Sequence, residues 1–145
     1  MTERITIDQL LASARASLDR LSSIEAHEAQ RSGATLVDIR CAEQRHMDGA
    51  VPGAVSIPLS TLYWRLDPSS ASRDPSLADL SRWIVLLCAH GYSSSLAAAT
   101  LRAIGYERAT DVDGGFEAWA AAGLPVTRPG ASPPSGSPRS APSRR

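Results

Sequence analysis

The sequence predicts an α/β fold with a mainly parallel sheet, because short β-rich apolar runs alternate with segments of helical period. The strongest run, Trp83-Ile84-Val85-Leu86-Leu87, is apolar without interruption, as expected of a strand covered on both faces. A helical pattern follows it after one short turn, the order in which a parallel strand feeds its crossover helix. The chain has 145 residues, 43% hydrophobic and 21% charged, which suits one soluble domain with a core of its own.

The elements follow in order. Thr6 and Gln9 form a capping box, and Leu10, Leu11, Ala14, Leu18 and Leu21 recur at helical spacing, so a first helix is expected from Ile7 to Leu21. Ser22 with Glu25 repeats the capping signal and opens a second short helix that Gly33 can terminate. Thr35-Leu36-Val37-Asp38-Ile39 reads as a buried strand, and Ala42 to Asp48 as a short helix. The turn-rich stretch from Gly49 to Ala54 leads into a strand over Val55-Ser56-Ile57-Pro58. Thr61 to Leu66 predicts a helical turn, and Asp67 to Pro75 a polar loop. After the Trp83–Leu87 strand come a helix from Ser94 to Ile104, a strand from Ala109 to Val112, and a helix from Phe116 to Ala122 opened by Gly114-Gly115. Residues 128 to 145 are almost wholly Pro, Ser, Gly and Arg and predict a disordered tail. The expected division is a helical extension over 1–23, a folded domain over 24–127 and the tail over 128–145.

Composition excludes several functions. All 15 basic residues are Arg, which rules out lysine Schiff-base and P-loop lysine chemistry. Four of these lie after Val126, leaving 11 against 15 acidic residues, so the folded part is formally four charges negative. That argues against nucleic acid as a partner. No apolar run is long enough to span a membrane, so no membrane partner is expected. The N-terminus lacks the pattern of a secretory signal, and the two cysteines are too few for a disulfide framework, so a cytoplasmic location with both thiols reduced is expected. The cysteine spacing fits no zinc ribbon, and no cofactor or metal is called for.

The chemistry concentrates in Cys88-Ala89-His90-Gly91-Tyr92-Ser93, a short loop between a buried strand and a helix. Ligand sites of open α/β sheets lie at the carboxyl ends of strands. A tight loop entering a helix also gathers several backbone N–H groups into one concavity, and their dipoles favour an anion such as a thiolate. Cys88 is therefore the candidate nucleophile.

Four separated segments resemble the rhodanese family over roughly residues 24 to 126. Leu36-Val37-Asp38-Ile39-Arg40 resembles its first strand with Asp-x-Arg. Gly49 to Pro58 resembles its Gly-His-Ile-Pro-Gly-Ala…Ile-Pro segment. Cys88 to Ser93 resembles its six-residue active-site loop, and Gly114-Gly115-Phe116-Glu117-Ala118-Trp119…Gly123-Leu124-Pro125-Val126 its closing motif. The resemblance implies a doubly wound, mainly parallel five-stranded sheet with helices on both faces. It implies a sulfurtransferase in which Cys88 takes a sulfane sulfur from thiosulfate or a similar donor as a persulfide. The sulfur then passes to a thiol, cyanide or protein acceptor. The backbone of Ala89, His90, Gly91, Tyr92 and Ser93 would bind the substrate, His90 as imidazolium would attract an anionic donor, and Asp38 and Arg40 would support the site as a structural pair.

The sequence departs from the family pattern at Ala50, where His is usual, and at Ser93, where the loop commonly carries Arg. The loop thus contributes no permanent cation of its own unless Arg40, Arg45 or Arg65 approaches the mouth. A weak persulfide carrier or regulatory binding module is the alternative reading. A tyrosine phosphatase needs His before the Cys and Arg six positions after it, but Leu87 and Ser94 stand there. Gly91-Tyr92-Ser93-Ser94-Ser95 imitates a hydrolase elbow, yet His27, His46 and His90 all precede the serines, contrary to the triad order. His27 and His46 are expected at the surface, and Trp83, Phe116 and Trp119 in packing roles. Nothing in the sequence brings Cys41 to Cys88.

Overall fold

A computed structural model describes residues 3–127; the expected tail lies outside the described residues. The elements run α1 (Ile7–Ala16), α2 (Ser23–Arg31), β1 (Thr35–Asp38), α3 (Ala42–Asp48), β2 (Val55–Ser56), α4 (Leu62–Leu66), β3 (Ile84–Leu87), α5 (Ser93–Ala103), β4 (Thr110–Asp111) and α6 (Gly115–Ala121). Both expected capping boxes form: the Thr6 hydroxyl accepts the Gln9 N–H, and the Ser22 hydroxyl accepts the Glu25 N–H.

The four strands pair in parallel in the order β2-β1-β3-β4. The resemblance implied five strands; the fifth is reduced to one bridge between Leu21 and Val112. Leu21 donates to the Asp111 carbonyl at 3.1 Å and accepts from the Asp113 N–H at 2.8 Å. It cannot extend further because Ser22 already caps α2. The same pairing shortens the first helix, which was expected to reach Leu21 and stops at Ala16. Of its apolar face Ala14 is buried, while Leu10 stays 48% exposed. Leu18, beyond the helix, joins the core.

Side chains of a strand alternate between faces, and β3 supplies both cores in this way. Ile84, Leu86 and Cys88 face one side, with Leu62, Leu66, Leu101 and Tyr106. Val85 and Leu87 face the other, with Ala26, Ala29, Phe116 and Trp119. α1 packs along α5 on the first side, and α2 contacts α6 on the second. Cys88 thus sits one residue past the strand, on the α5 side. His27, expected at the surface, is half-buried with its ring edge-on to Trp119, centroids 5.5 Å apart. His46 is exposed as expected.

The polar loop extends beyond Pro75 to the start of β3 and repeats one device. Asp67, Asp74 and Asp79 each accept the backbone N–H and hydroxyl of the serine two residues on, Ser69, Ser76 and Ser81. Such turns satisfy backbone groups that have no ladder partner.

Those hydrogen bonds hold all three carboxyls below the usual aspartate range. Their stabilisation is complete above the unfolded-chain pKa of about 3.9 and is lost as pH falls through the lower folded values. Thermal midpoints should therefore fall below about pH 4. The triple Asp→Asn variant, which keeps an uncharged acceptor in each turn, should show a shallower fall; parallel curves for the two proteins would contradict this.

Candidate active site

The Cys88–Ser93 loop is shaped by where its carbonyls go. The Cys88 carbonyl accepts the Phe116 N–H at 2.8 Å, and the Ala89 carbonyl accepts the Glu117 N–H at 3.1 Å. The Gly91 carbonyl accepts from Arg15 Nη2 at 2.7 Å and Arg20 Nη2 at 3.1 Å. The Tyr92 carbonyl accepts the Ser95 N–H at 3.1 Å. In a planar trans peptide the following N–H points opposite to the carbonyl, so these bonds direct loop amides away from α6 and the arginines. The Ala89, His90 and Tyr92 N–H groups have no acceptor among the described residues.

Two of the amides reach sulfur. Gly91 donates to Cys88 Sγ at 3.1 Å and Ser94 at 3.4 Å. Gly91 has φ +87°, and a Cβ there would lie 2.8 Å from the Gly114 nitrogen, so only glycine fits. Across the contact a Cβ on Gly115 would lie 2.5 Å from the Cys88 carbonyl oxygen. The two glycines let the loop and the start of α6 touch backbone to backbone.

Cys88 is 7% exposed and lies against a cavity of about 250 Å³. Ile39 and Leu59 form its apolar wall; Arg40, Gln44, Ala89, His90, Tyr92 and Ser93 complete it. Every predicted loop residue except Gly91 lines this space, and Gly91 instead donates its N–H to the sulfur. Cys88 is thus nearly buried and borders a space large enough for a small anion.

A hydroxyl also meets the sulfur, that of Ser94. Ser94 Oγ is 3.2 Å from Cys88 Sγ and donates to Asp111 Oδ2 at 2.7 Å. Ser95 Oγ donates to the same oxygen at 2.8 Å. Asp111 is fully buried and pairs with Arg20, whose Nε lies 2.9 Å from Oδ1. Burial works against the Arg20 charge, yet the hydrogen bond and charge of Asp111, with Asp113 behind it, hold its pKa above the ordinary value. Sequence reasoning missed Arg15, Arg20, Ser94 as the sulfur's hydroxyl neighbour, and Asp111. Only the run of polar residues in an otherwise buried stretch, Thr110-Asp111, hinted at a buried partner.

Asp38 and Arg40 form the expected pair. Arg40 Nε and Nη2 contact the two Asp38 oxygens at 3.0 and 2.8 Å, and Nη2 also donates to the Gly49 carbonyl at 2.9 Å. The guanidinium lies 4.0 Å over the Phe116 ring. Of the three arginines considered for the mouth, only Arg40 lines the cavity, and its charge is committed to Asp38. Arg45 is turned to the Arg40 carbonyl and Arg65 to Asp74. His90 Nδ1 stands 3.2 Å from Glu117 Oε1, with its side chain 61% exposed at the rim. Cys41 is a free, exposed thiol and Cys88 a free, buried one.

The Rhodanese-like domain family model matches residues 22–122. A thiosulfate sulfurtransferase GlpE from Pseudomonas savastanoi pv. phaseolicola is 36% identical over 102 residues, covering 70% of this chain and 87% of that protein. A structure from Rhodopseudomonas palustris, of a protein of unknown function called a possible tyrosine phosphatase, superposes with TM-score 0.78. It is 33% identical and covers 87% of this chain and 98% of its own. The polysulfide-sulfur transferase homodimer of Wolinella succinogenes shares the fold, with TM-score 0.64, 22% identity, and coverage of 81% and 83%.

Because the Asp38–Arg40 pair is 1% exposed on both sides, Asp38→Ala should leave an unpaired buried cation and cost about 3–5 kcal/mol. Denaturant unfolding measures this. A loss under about 1 kcal/mol, the scale of an exposed pair, would show that the pair is not a structural strut.

Proposed function

The chain belongs to the rhodanese-like domain family, and we propose that it is a sulfurtransferase working through a persulfide on Cys88. The observation that carries this reading is a nearly buried sulfur held by two amides, on a residue that lines a cavity of about 250 Å³. The similarity to thiosulfate sulfurtransferases supports thiosulfate as donor.

In the first half-reaction the Cys88 thiolate attacks the outer sulfur of thiosulfate. A new S–S bond forms to Cys88, the donor's own S–S bond breaks, and its electron pair leaves with sulfite. The persulfide anion keeps one negative charge, now on the outer sulfur. In the second half-reaction a thiophilic acceptor attacks that sulfur: cyanide gives thiocyanate, a thiol gives a persulfide, and the Cys88 thiolate is restored. No electron is supplied from outside and no cofactor takes part. Both steps move negative charge along a line of sulfur atoms. The free amides of Ala89, His90 and Tyr92 are donors that can follow it without reorganising.

The cavity's apolar wall of Ile39 and Leu59 favours a small, weakly hydrated sulfur species over phosphate. With Leu87 and Ser94 where a phosphatase needs His and Arg, no bidentate grip on a phosphoryl group exists in the loop. A reducing cytoplasm suits the reading, because Cys88 must remain a thiolate between turnovers and Cys41 is an exposed thiol.

Thiocyanate production from thiosulfate and cyanide tests the proposal. The wild-type protein should form thiocyanate, Cys88→Ala should not, and thiosulfate treatment should add about 32 Da to the wild type alone, one sulfur atom on the nucleophile. Equal thiocyanate formation by Cys88→Ala and wild type would overturn the proposal.

A further inference from the structure

The loop that holds Cys88 lacks a cation of its own, yet two guanidinium groups reach it from a segment that precedes the family match at residue 22. Arg15 leaves the last turn of α1 and places Nη2 2.7 Å from the Gly91 carbonyl and Nε 3.0 Å from Ser95 Oγ. Arg20 places Nη2 3.1 Å from the same carbonyl. We propose that Arg15, seconded by Arg20, is a positioning residue of the sulfur site, which holds the Gly91–Tyr92 peptide with its N–H toward the cavity and lends the site a positive charge. This rests on the sulfurtransferase reading for its purpose, though not for its geometry.

Three observations point the same way. First, one carbonyl accepting two charged donors is over-determined. Each is a charge-assisted hydrogen bond, and both polarise the peptide so that the Tyr92 N–H becomes a stronger donor. Second, the arginines Arg40 and Arg20 near the loop each face a carboxylate: Arg40 has Asp38, and Arg20 has Asp111 and Asp113. Arg15 has no carboxylate partner among the described residues, so replacing it changes the charge beside the loop without stranding a buried carboxylate. Third, Arg15 also lies 5.5 Å from the centroid of the Tyr92 ring, so it contacts the loop from both backbone and side chain. The segment before residue 22 is thus a working part of the site, and it favours anionic sulfur donors over neutral ones.

Arg20→Gln would strip the buried Asp111 of its ion-pair partner and is expected to unfold the protein, so Arg15 carries the test. In a Cys41→Ser background Cys88 is the sole thiol. Its alkylation is measured with anionic iodoacetate and neutral iodoacetamide at one pH and low ionic strength. Arg15→Gln should lower the iodoacetate-to-iodoacetamide rate ratio by roughly threefold or more, the effect of losing one unit charge well within a Debye length. Arg15→Lys should restore most of the ratio. In the thiocyanate assay the same Arg15→Gln protein should show a raised KM for thiosulfate with a smaller change in kcat. A ratio unchanged in folded Arg15→Gln, or one that falls while Lys fails to restore it, overturns the proposal. Alkylation needs no sulfur transfer. An inactive parent with a shifted ratio would therefore sink the sulfurtransferase reading and leave the Arg15 role standing.

Discussion

The outward anchoring of the carbonyls in the Cys88 loop is the constraint from which the rest of the site follows. Left alone, a loop of six residues would turn carbonyl oxygens as readily as amides toward a sulfur atom. Here Cys88 and Ala89 give their carbonyls to the first amides of α6, Gly91 gives its carbonyl to two arginines, and Tyr92 to the amide of Ser95. Five donors on four carbonyls thus settle which face of the loop is positive. The close approach of Gly91 to Gly114 and of Gly115 to Cys88 is part of the same device, since a Cβ at either place would separate the α6 amides from the carbonyls they hold.

Asp111 ties this loop to the sheet edge. One buried carboxylate accepts from Ser94, Ser95 and Arg20, and the backbone of the same residue accepts the Leu21 amide. A buried carboxylate without donors would be costly; with three side-chain donors it becomes the joint between α5, β4 and the approach to α2. Because Ser94 also contacts Cys88 Sγ, the sulfur and this joint share one hydroxyl. The reduced fifth strand has a physical sense in this setting. Leu21 needs only one bridge, since its neighbour Arg20 supplies the side-chain contact that a longer strand would otherwise provide.

Much of this was legible in the sequence wherever the signal is local. The uninterrupted run ending at Leu87, the Cys88 loop and the helix after it follow from strand burial and helix period, and α3 matches its expected bounds. The Asp38–Arg40 pair spans two residues and reads from its motif. What escaped is long-range. Arg15 meets Ser95 across 80 positions and Arg20 meets Asp111 across 91, and no periodicity encodes which arginine finds which carbonyl. The first helix was expected to run to Leu21 because leucine spacing continues past Ala16; the sheet edge claimed Leu21 instead. His27 was expected in solvent because its neighbours are polar, while packing placed its ring against Trp119. The loop from Asp67 onward shows the converse, a repeated Asp-x-Ser whose turns form locally.

The most direct test of the amide cradle is a crystal structure of the protein after exposure to thiosulfate. An added sulfur on Cys88 Sγ, pointing into the cavity and within about 3.5 Å of at least two nitrogens among residues 89 to 93, is the predicted result, allowing for the longer reach of bonds to sulfur. Unmodified Cys88, or an added sulfur facing loop carbonyls instead of amides, would contradict it.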